Sequence, residues 1–378
     1  MTEGEYVMEA NKRIKSIDIL RGFAVALMII GNNPGNSDRI YTQLRHPAWN
    51  GLAVADFGFP IFILTMCMTI PIVMEKKIIS KKIWSIVLNV IRKSFMLVLL
   101  GIFLNGFPLF NFKTIRILGV LQRLGIVYLI VSLIYLAIRC NLKKKAFIIT
   151  SMIVIGFLIT IGYYFLLKPF GFGLESNLAK SVDIHLLGVH MYNKYFDPEG
   201  IITTIGAVAT GIFGCLIGYV INLTTKHDYI KPICISLFGL ICMIIAFEFN
   251  KIFPFNKHLW SSSYILVVVG YTSLGLALLY LICDIYKKER IFTPFRGLGN
   301  NPIFVYIVTE LIRKSFWQVK VFDERLNLSL NLTAWITTKF VTPWAGVSLD
   351  SFYFSLIYLI IWISIANKMY NNNTFIKI

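Results

Sequence analysis

Apolar residues fill most of the chain in blocks of about twenty, the length an α-helix needs to cross the hydrocarbon of a bilayer. The blocks fall at 17–33, 52–74, 83–105, 115–138, 146–168, 201–223, 230–250, 259–283, 300–316 and 350–369. Inside lipid each block must satisfy its own backbone hydrogen bonds, so each reads as a helix. A further stretch, 326–346, is apolar but broken by Asn327, Asn331, Thr333, Lys339 and Pro343, and reads as a helix lying at the interface. The pattern predicts an all-α fold: a polytopic transmembrane helix bundle of about ten helices plus an interfacial helix, forming one integral membrane domain over residues 1–378.

Composition agrees. The chain is 57% hydrophobic and 15% charged, against about 45–50% and about 25% for soluble domains. Its net charge of +18 is placed between the apolar blocks rather than clustered beside exposed aromatics, which argues for the lipid bilayer as partner and against nucleic acid. Alternate loops are basic: Lys12, Arg13 and Lys15; Lys76, Lys77, Lys81 and Lys82; Arg139, Lys143, Lys144 and Lys145; Lys226 and Lys231; Lys287, Lys288, Arg290 and Arg296. The positive-inside rule then puts both termini and these loops in the cytoplasm. The opposite loops hold 34–51, 106–114, 169–200 and 251–258. Arg313, Lys314 and Lys320 run against the rule, offset in part by Asp323 and Glu324. No small-residue cleavage site follows the first block, so no cleavable leader is expected.

The six cysteines stand singly, without the spacing of a zinc site or a disulfide framework. His185, His190, His227 and His258 are scattered without ligand spacing, and no metal is expected.

Polar residues within or beside the blocks carry the chemistry, because ionisable groups at membrane depth are costly. Asp18 and Arg21, three apart, share a helix face and can pair. Asn32 and Asn33 end the first block, stopped by Pro34 and Gly35. His46 lies in the outer loop with Trp49 and Asn50, ten residues before Asp56 in the first turn of the second block. An imidazole oriented by a carboxylate can act as a base near neutral pH. Gln122 and Arg123 interrupt the fourth block, with Asp56, Glu199 and Glu310 as candidate partners for the arginine. The ninth block opens on Asn300, Asn301 and Pro302 and carries Glu310 nearer its outer end. Each of these residues also has a purely structural reading as a helix cap, a helix anchor or a buried ion pair.

Several stretches resemble one family, the membrane acetyltransferases related to lysosomal heparan-α-glucosaminide N-acetyltransferase and their bacterial homologues. They are Ser16–Gly22, Asn32–Gly35, His46–Gly51, Asp56 with Phe59 and Pro60, Gly119–Gly125, Asp197–Gly200, Asn256–Ser261 and Asn300–Pro302, in family order through almost the whole chain. The chain carries no counterpart of the luminal domain and first helix of the lysosomal enzyme, which points to a bacterial plasma-membrane protein. The resemblance implies acetyl-CoA as cytosolic donor, an amino sugar or glycan as acceptor on the far side, and a homodimer. It implies His46 as the active-site histidine and Asn32 as a second catalytic residue. On this reading Asp56 orients His46, and Asn32 or Arg123 donates to the oxyanion. Arg21, Gln122, Arg123, Arg296, Asn300 and Asn301 serve the donor, and Trp49, Asn50, Glu199 and Glu310 serve the acceptor. The alternative is a transporter or flippase for a lipid-linked or small saccharide, whose path would also need intramembrane polar groups. No inverted repeat of the transporter kind is visible.

Overall fold

The computed structural model describes residues 13–80, 82–225, 227–323 and 326–376. Lys12, Lys81, Lys226 and Glu324, which enter the charge pattern of the loops, lie outside the described residues.

All ten expected blocks form helices: α1 (Lys15–Asn32), α2 (Gly58–Ser80), α3 (Ile83–Gly106), α4 (Val120–Asn141), α5 (Lys145–Leu167), α7 (Thr203–Asn222), α8 (Ile230–Asn250), α9 (Ser262–Leu279), α11 (Pro302–Gln318) and α14 (Asp350–Asn371). Eight of them are long and apolar enough to cross a membrane, which makes this a multi-pass, all-α membrane protein. The other two fall short for definable reasons. Helix α1 carries Lys15, Asp18 and Arg21 in its first two turns. Helix α11 has 17 residues, a rise of only about 26 Å.

Four short helices join them: α6 (Leu178–Leu187), α10 (Thr293–Asn300), α12 (Leu332–Ile336) and α13 (Thr342–Ala345). The loops at 169–200 and 284–299 thus hold the unforeseen α6 and α10. The stretch 326–346 is not one interfacial helix. Leu328–Asn331 is a strand, β2, paired antiparallel with β1 (Lys320–Asp323), and helix begins only at Leu332. Leu326, Leu328, Leu330 and Leu332 alternate with Asn327, Ser329 and Asn331, a period of two that suits a strand and not a helix. The Asn331 side chain then accepts from the Ala334 amide and starts α12. From there a π turn at Thr337–Val341 breaks the run before α13.

Helix α7 is almost wholly buried, α2, α4 and α9 largely so, and α3, α5, α8 and α14 keep most of their surface outward. The centre is held by close backbone approach. A Cβ on Gly214 would sit 2.6 Å from the Leu64 carbonyl oxygen, and one on Gly218 would overlap that of Met68. These two glycines, four apart, are the small-residue pattern that lets membrane helices touch. The same device joins α10 to α1, where Gly22 lies against the Phe295 carbonyl and Gly299 against that of Asp18.

The basic helix ends collect together. Asp284, in the π turn Tyr280–Ile285 that follows α9, accepts from the Lys15 and Ser16 amides at 3.0 Å and caps α1 from outside it. Buried Glu75 of α2 accepts from Tyr135 and Arg139 of α4. Arg296 lies over Tyr370 of α14. At the opposite end Arg39 meets Asp350 and Asn36 meets Ser351.

Gly218→Ala should lower the unfolding temperature in detergent, because its methyl must push α2 off α7, an overpacking cost of about 1–3 kcal/mol. Gly162→Ala in α5, where nothing lies within 4 Å of the added methyl, should leave the unfolding temperature unchanged.

Candidate active site

The chain between α1 and α2 cannot continue as helix, since Pro34, Gly35, Pro47 and Gly51 interrupt it. It is instead tied to other loops. The Trp49 indole donates to the Phe172 carbonyl at 2.8 Å. The Asn50 side chain accepts from Asn256 at 3.0 Å. Gly51, at a φ of 130° that favours glycine, donates to the Phe255 carbonyl. Trp49 also stacks on His258, with ring planes 5° apart.

These ties bring His46 onto Asp56. His46 Nδ1 lies 2.6 Å from Asp56 Oδ1. The second carboxylate oxygen accepts from the Ala53 amide at 2.9 Å, fixing the short turn Val54–Phe57 that leads into α2. The Tyr264 hydroxyl of α9 donates to the Asp56 carbonyl at 2.6 Å. Asp56 is 1% exposed while the His46 side chain is 36% exposed, so the imidazole stands at the surface on a buried anion. A third group joins them: Lys257 Nζ is 3.4 Å from Asp56 Oδ1 and 3.4 Å from His46 Nδ1. Burial lowers the Lys257 amine below the usual lysine value, while Asp56 and Glu199 pull the other way. Burial likewise lowers His258.

Arg123 is the second feature. It is 1% exposed, lies over the Trp260 ring at 5.0 Å and donates to Thr203 Oγ1 and the Gly200 carbonyl. Its Nε and Nη1 have no partner. None of its three candidate carboxylates forms an ion pair with it among the described residues. Asp56 serves His46 and Lys257, Glu310 serves Arg313, and Glu199 is bound by Arg116, which also clamps Asp197. Burial alone would raise the Glu199 carboxyl, but Arg116 and Arg123 outweigh it and hold it below the usual glutamate value. Nearby, the absent side chain of Gly200 admits Asp183, whose carboxyl burial pushes up to about 6.

Asn32 belongs to a neighbouring group. Its amide donates to Glu310 at 3.2 Å, and Glu310 accepts from Arg313. Asn32, Arg313, Trp317, Phe354 and Tyr358 line a cavity of about 140 Å³. Gly31, one residue earlier, packs against Ala55 beside Asp56.

Arg21, Arg296, Asn300 and Asn301 lie toward the basic end, whereas Gln122 lies at the opposite end, in the first turn of α4. Arg21 donates to the Gly299 and Thr65 carbonyls and faces Asp18 at 3.5 Å. With Lys77, Asn89, Lys93, Met66 and Tyr128 it lines a cavity of about 280 Å³ between α2, α3, α4 and the start of α11. Neither His46 nor Asp56 is in its wall, but Phe62 is, in the first turns of the helix that follows the Asp56 turn. Gln122 donates to the Ile117 carbonyl and closes the start of α4. Asn300 donates to the Arg296 carbonyl. Asn301 uses its amide on Thr374 and Ile376, holding the chain beyond α14. Gln122, Arg296, Asn300 and Asn301 are thus absent from the lining of the Arg21 cavity.

Lys257, Arg116 and Tyr264 carry no role in the sequence-based reading. Lys257 stands inside the Asn256–Ser261 stretch that carries the resemblance, and a lysine flanked by Asn256 and Trp260 in so short a loop was the available signal.

No protein-family profile matches the chain. Two curated proteins do. The heparan-alpha-glucosaminide N-acetyltransferase of Mus musculus is 27% identical over 87% of this chain and 59% of its own length. That of Homo sapiens is 28% identical over 87% of this chain and 58% of its own length. The similarity bears out the resemblance carried by the motifs, and the chain spans less than two thirds of the length of either relative.

Arg116→Met strands two buried carboxylates, a loss of about 3–5 kcal/mol at neutral pH. Glu199 has its folded-state value depressed, so Arg116 stabilises the fold above the usual glutamate value, and that stabilisation fades as the pH falls through the folded-state value. Thermal unfolding of Arg116→Met should therefore show a large deficit at pH 7 that narrows on acidification.

Proposed function

We propose that the protein is a transmembrane acetyltransferase that moves an acetyl group from cytosolic acetyl-CoA to an amino sugar or glycan on the extracytoplasmic side, with His46 as general base. The observation that carries this reading is the 2.6 Å contact between His46 Nδ1 and Asp56 Oδ1. A carboxylate on Nδ1 keeps that nitrogen protonated and leaves the Nε2 lone pair free. Such a ring, oriented by a buried anion and open to solvent, is built to take a proton.

The two ends of the molecule suit the two substrates. Arg21, Lys77 and Lys93 give the cavity at the basic end the charge to hold a nucleotide's phosphates, with Met66, Tyr128 and other apolar groups beyond them for the pantetheine arm. The cavity beside Asn32 offers the amide, guanidinium and aromatic surfaces that a saccharide takes. In the transfer, the acceptor amine attacks the thioester carbonyl, the N–C bond forms and the C–S bond breaks. His46 Nε2 receives the amine's proton and returns it to the departing thiolate. Asn32, or the unpartnered N–H groups of Arg123, would face the developing oxyanion, where one donor is worth about 2.7–4 kcal/mol. The alternation of basic loops supports a reading in which both termini face the cytoplasm, and the family resemblance supports a bacterial plasma membrane.

Purified protein incubated with acetyl-CoA and a panel of amino sugars should yield acetylated product by mass spectrometry. His46→Ala should abolish transfer and Asn32→Ala should cut it by about 10²–10³-fold, both in protein that still folds, with a lower unfolding temperature for His46→Ala, which takes a partner from buried Asp56. Full transfer by folded His46→Ala would end the assignment.

A further inference from the structure

Lys257 touches both His46 and Asp56, yet the acetyl-transfer scheme gives it no task. It is not there by chance of a long side chain. Its loop is pinned on both sides: the Asn256 side chain donates to Asn50 and accepts from the Leu259 amide, and the Asn256 amide donates to Ser261 Oγ. Trp260 takes a φ of 51°, donates through its indole to Thr210 and through its amide to the Lys257 carbonyl. The Lys257 side chain is 17% exposed, and its Nζ is equidistant at 3.4 Å from Asp56 Oδ1 and His46 Nδ1.

The hydrogen-bond chemistry of that triangle fixes the protons. Nδ1, at 2.6 Å from a carboxylate oxygen, carries a hydrogen and cannot also accept one from an ammonium. Both N–H groups therefore point at the same Oδ1, and the lysine contact with the ring is one between two donors. A histidine paired with a lone buried carboxylate is held protonated, because the anion favours the imidazolium. A cation sharing that carboxylate opposes the second proton and keeps the ring neutral, the form a base needs.

We propose that Lys257 is a positioning residue for the transfer chemistry: its ammonium shares Asp56 Oδ1 with His46, opposes a second proton on the imidazole and keeps Nε2 open. This rests on the acetyltransferase reading for its purpose but not for its geometry. Other charged and titratable groups face the triangle from every side. Arg45 lies next to His46 in the chain, and Tyr264 of α9 stands behind Asp56. His258 lies on the Lys257 loop, and Glu199 and Arg123 act on Lys257 from the start of α7 and from α4. Of the cations, Lys257 alone is within 4 Å of the Asp56 carboxylate among the described residues.

The test reads the ring directly. Diethyl pyrocarbonate reacts with neutral imidazole, and the 36% exposure of the His46 side chain leaves it open to the reagent. The rate of His46 carbethoxylation, followed by peptide mass spectrometry across pH 4–9, gives the midpoint of its titration in full-length protein in detergent. A like charge this close disfavours the charged ring, so Lys257→Met should raise the midpoint, and Lys257→Arg should leave it near wild type. The acidic limb of the acetyl-transfer rate should move up in step. An unmoved midpoint in folded Lys257→Met overturns the inference, and so does an equal rise in Lys257→Arg, which would assign the effect to packing. Should Lys257→Met not fold, Lys257→Gln, which can still donate to Asp56, carries the same two outcomes. Wild-type protein without acetyl transfer would sink the proposed function and leave this readout standing. Transfer with an unmoved midpoint would sink this inference alone.

Discussion

The buried carboxylate of Asp56 is the constraint around which the far end of the molecule is arranged. An anion with 1% exposure must be compensated in full, because unpaired charge in a low-dielectric interior is costly. The chain meets that demand from three separate places: the Ala53 amide on its own turn, His46 from the loop after α1, and Lys257 from the loop before α9. Two loops far apart in sequence are thereby obliged to meet, and the ties through Trp49, Asn50 and Asn256 are what let them do so without adding buried charge. The chemistry of the site follows from this, since a ring held by one nitrogen offers the other.

The helices around it are locked by a different physics. Lipid gives no hydrophobic reward for pressing two apolar helices together, so the centre relies on close backbone contact at Gly214, Gly218, Gly22 and Gly299. Several ion pairs then join loops and helix ends. A cavity with cationic walls opens toward one end and the histidine stands toward the other.

Much of this was legible in the sequence. Apolar length places all ten main helices, because in a bilayer length is a physical requirement and not a preference. The His46–Asp56 pairing was visible from the residue types and their spacing. The Leu326–Leu332 alternation has the period of a strand, while the apolar content of the stretch, taken alone, suits a helix. Arg123 was correctly placed in the interior, yet its partners were sought among carboxylates. The structure gives it a hydroxyl, a carbonyl and an indole face, neutral groups that no charge count can flag. Lys257 and Arg116 escaped because their roles depend on which loops meet, and chain order does not encode that.

The grip of Asn301 on Thr374 and Ile376 ties the tail of the chain to the doorway of the cationic cavity. Asn301 immediately precedes Pro302 and Ile303, which form part of that cavity's rim. The described tail residues line none of the cavity, yet they hold the residue that immediately precedes α11. The entrance through which a ligand would pass is thus braced by the last few residues, and the shape of one end of the polypeptide is felt at a wall built by its middle.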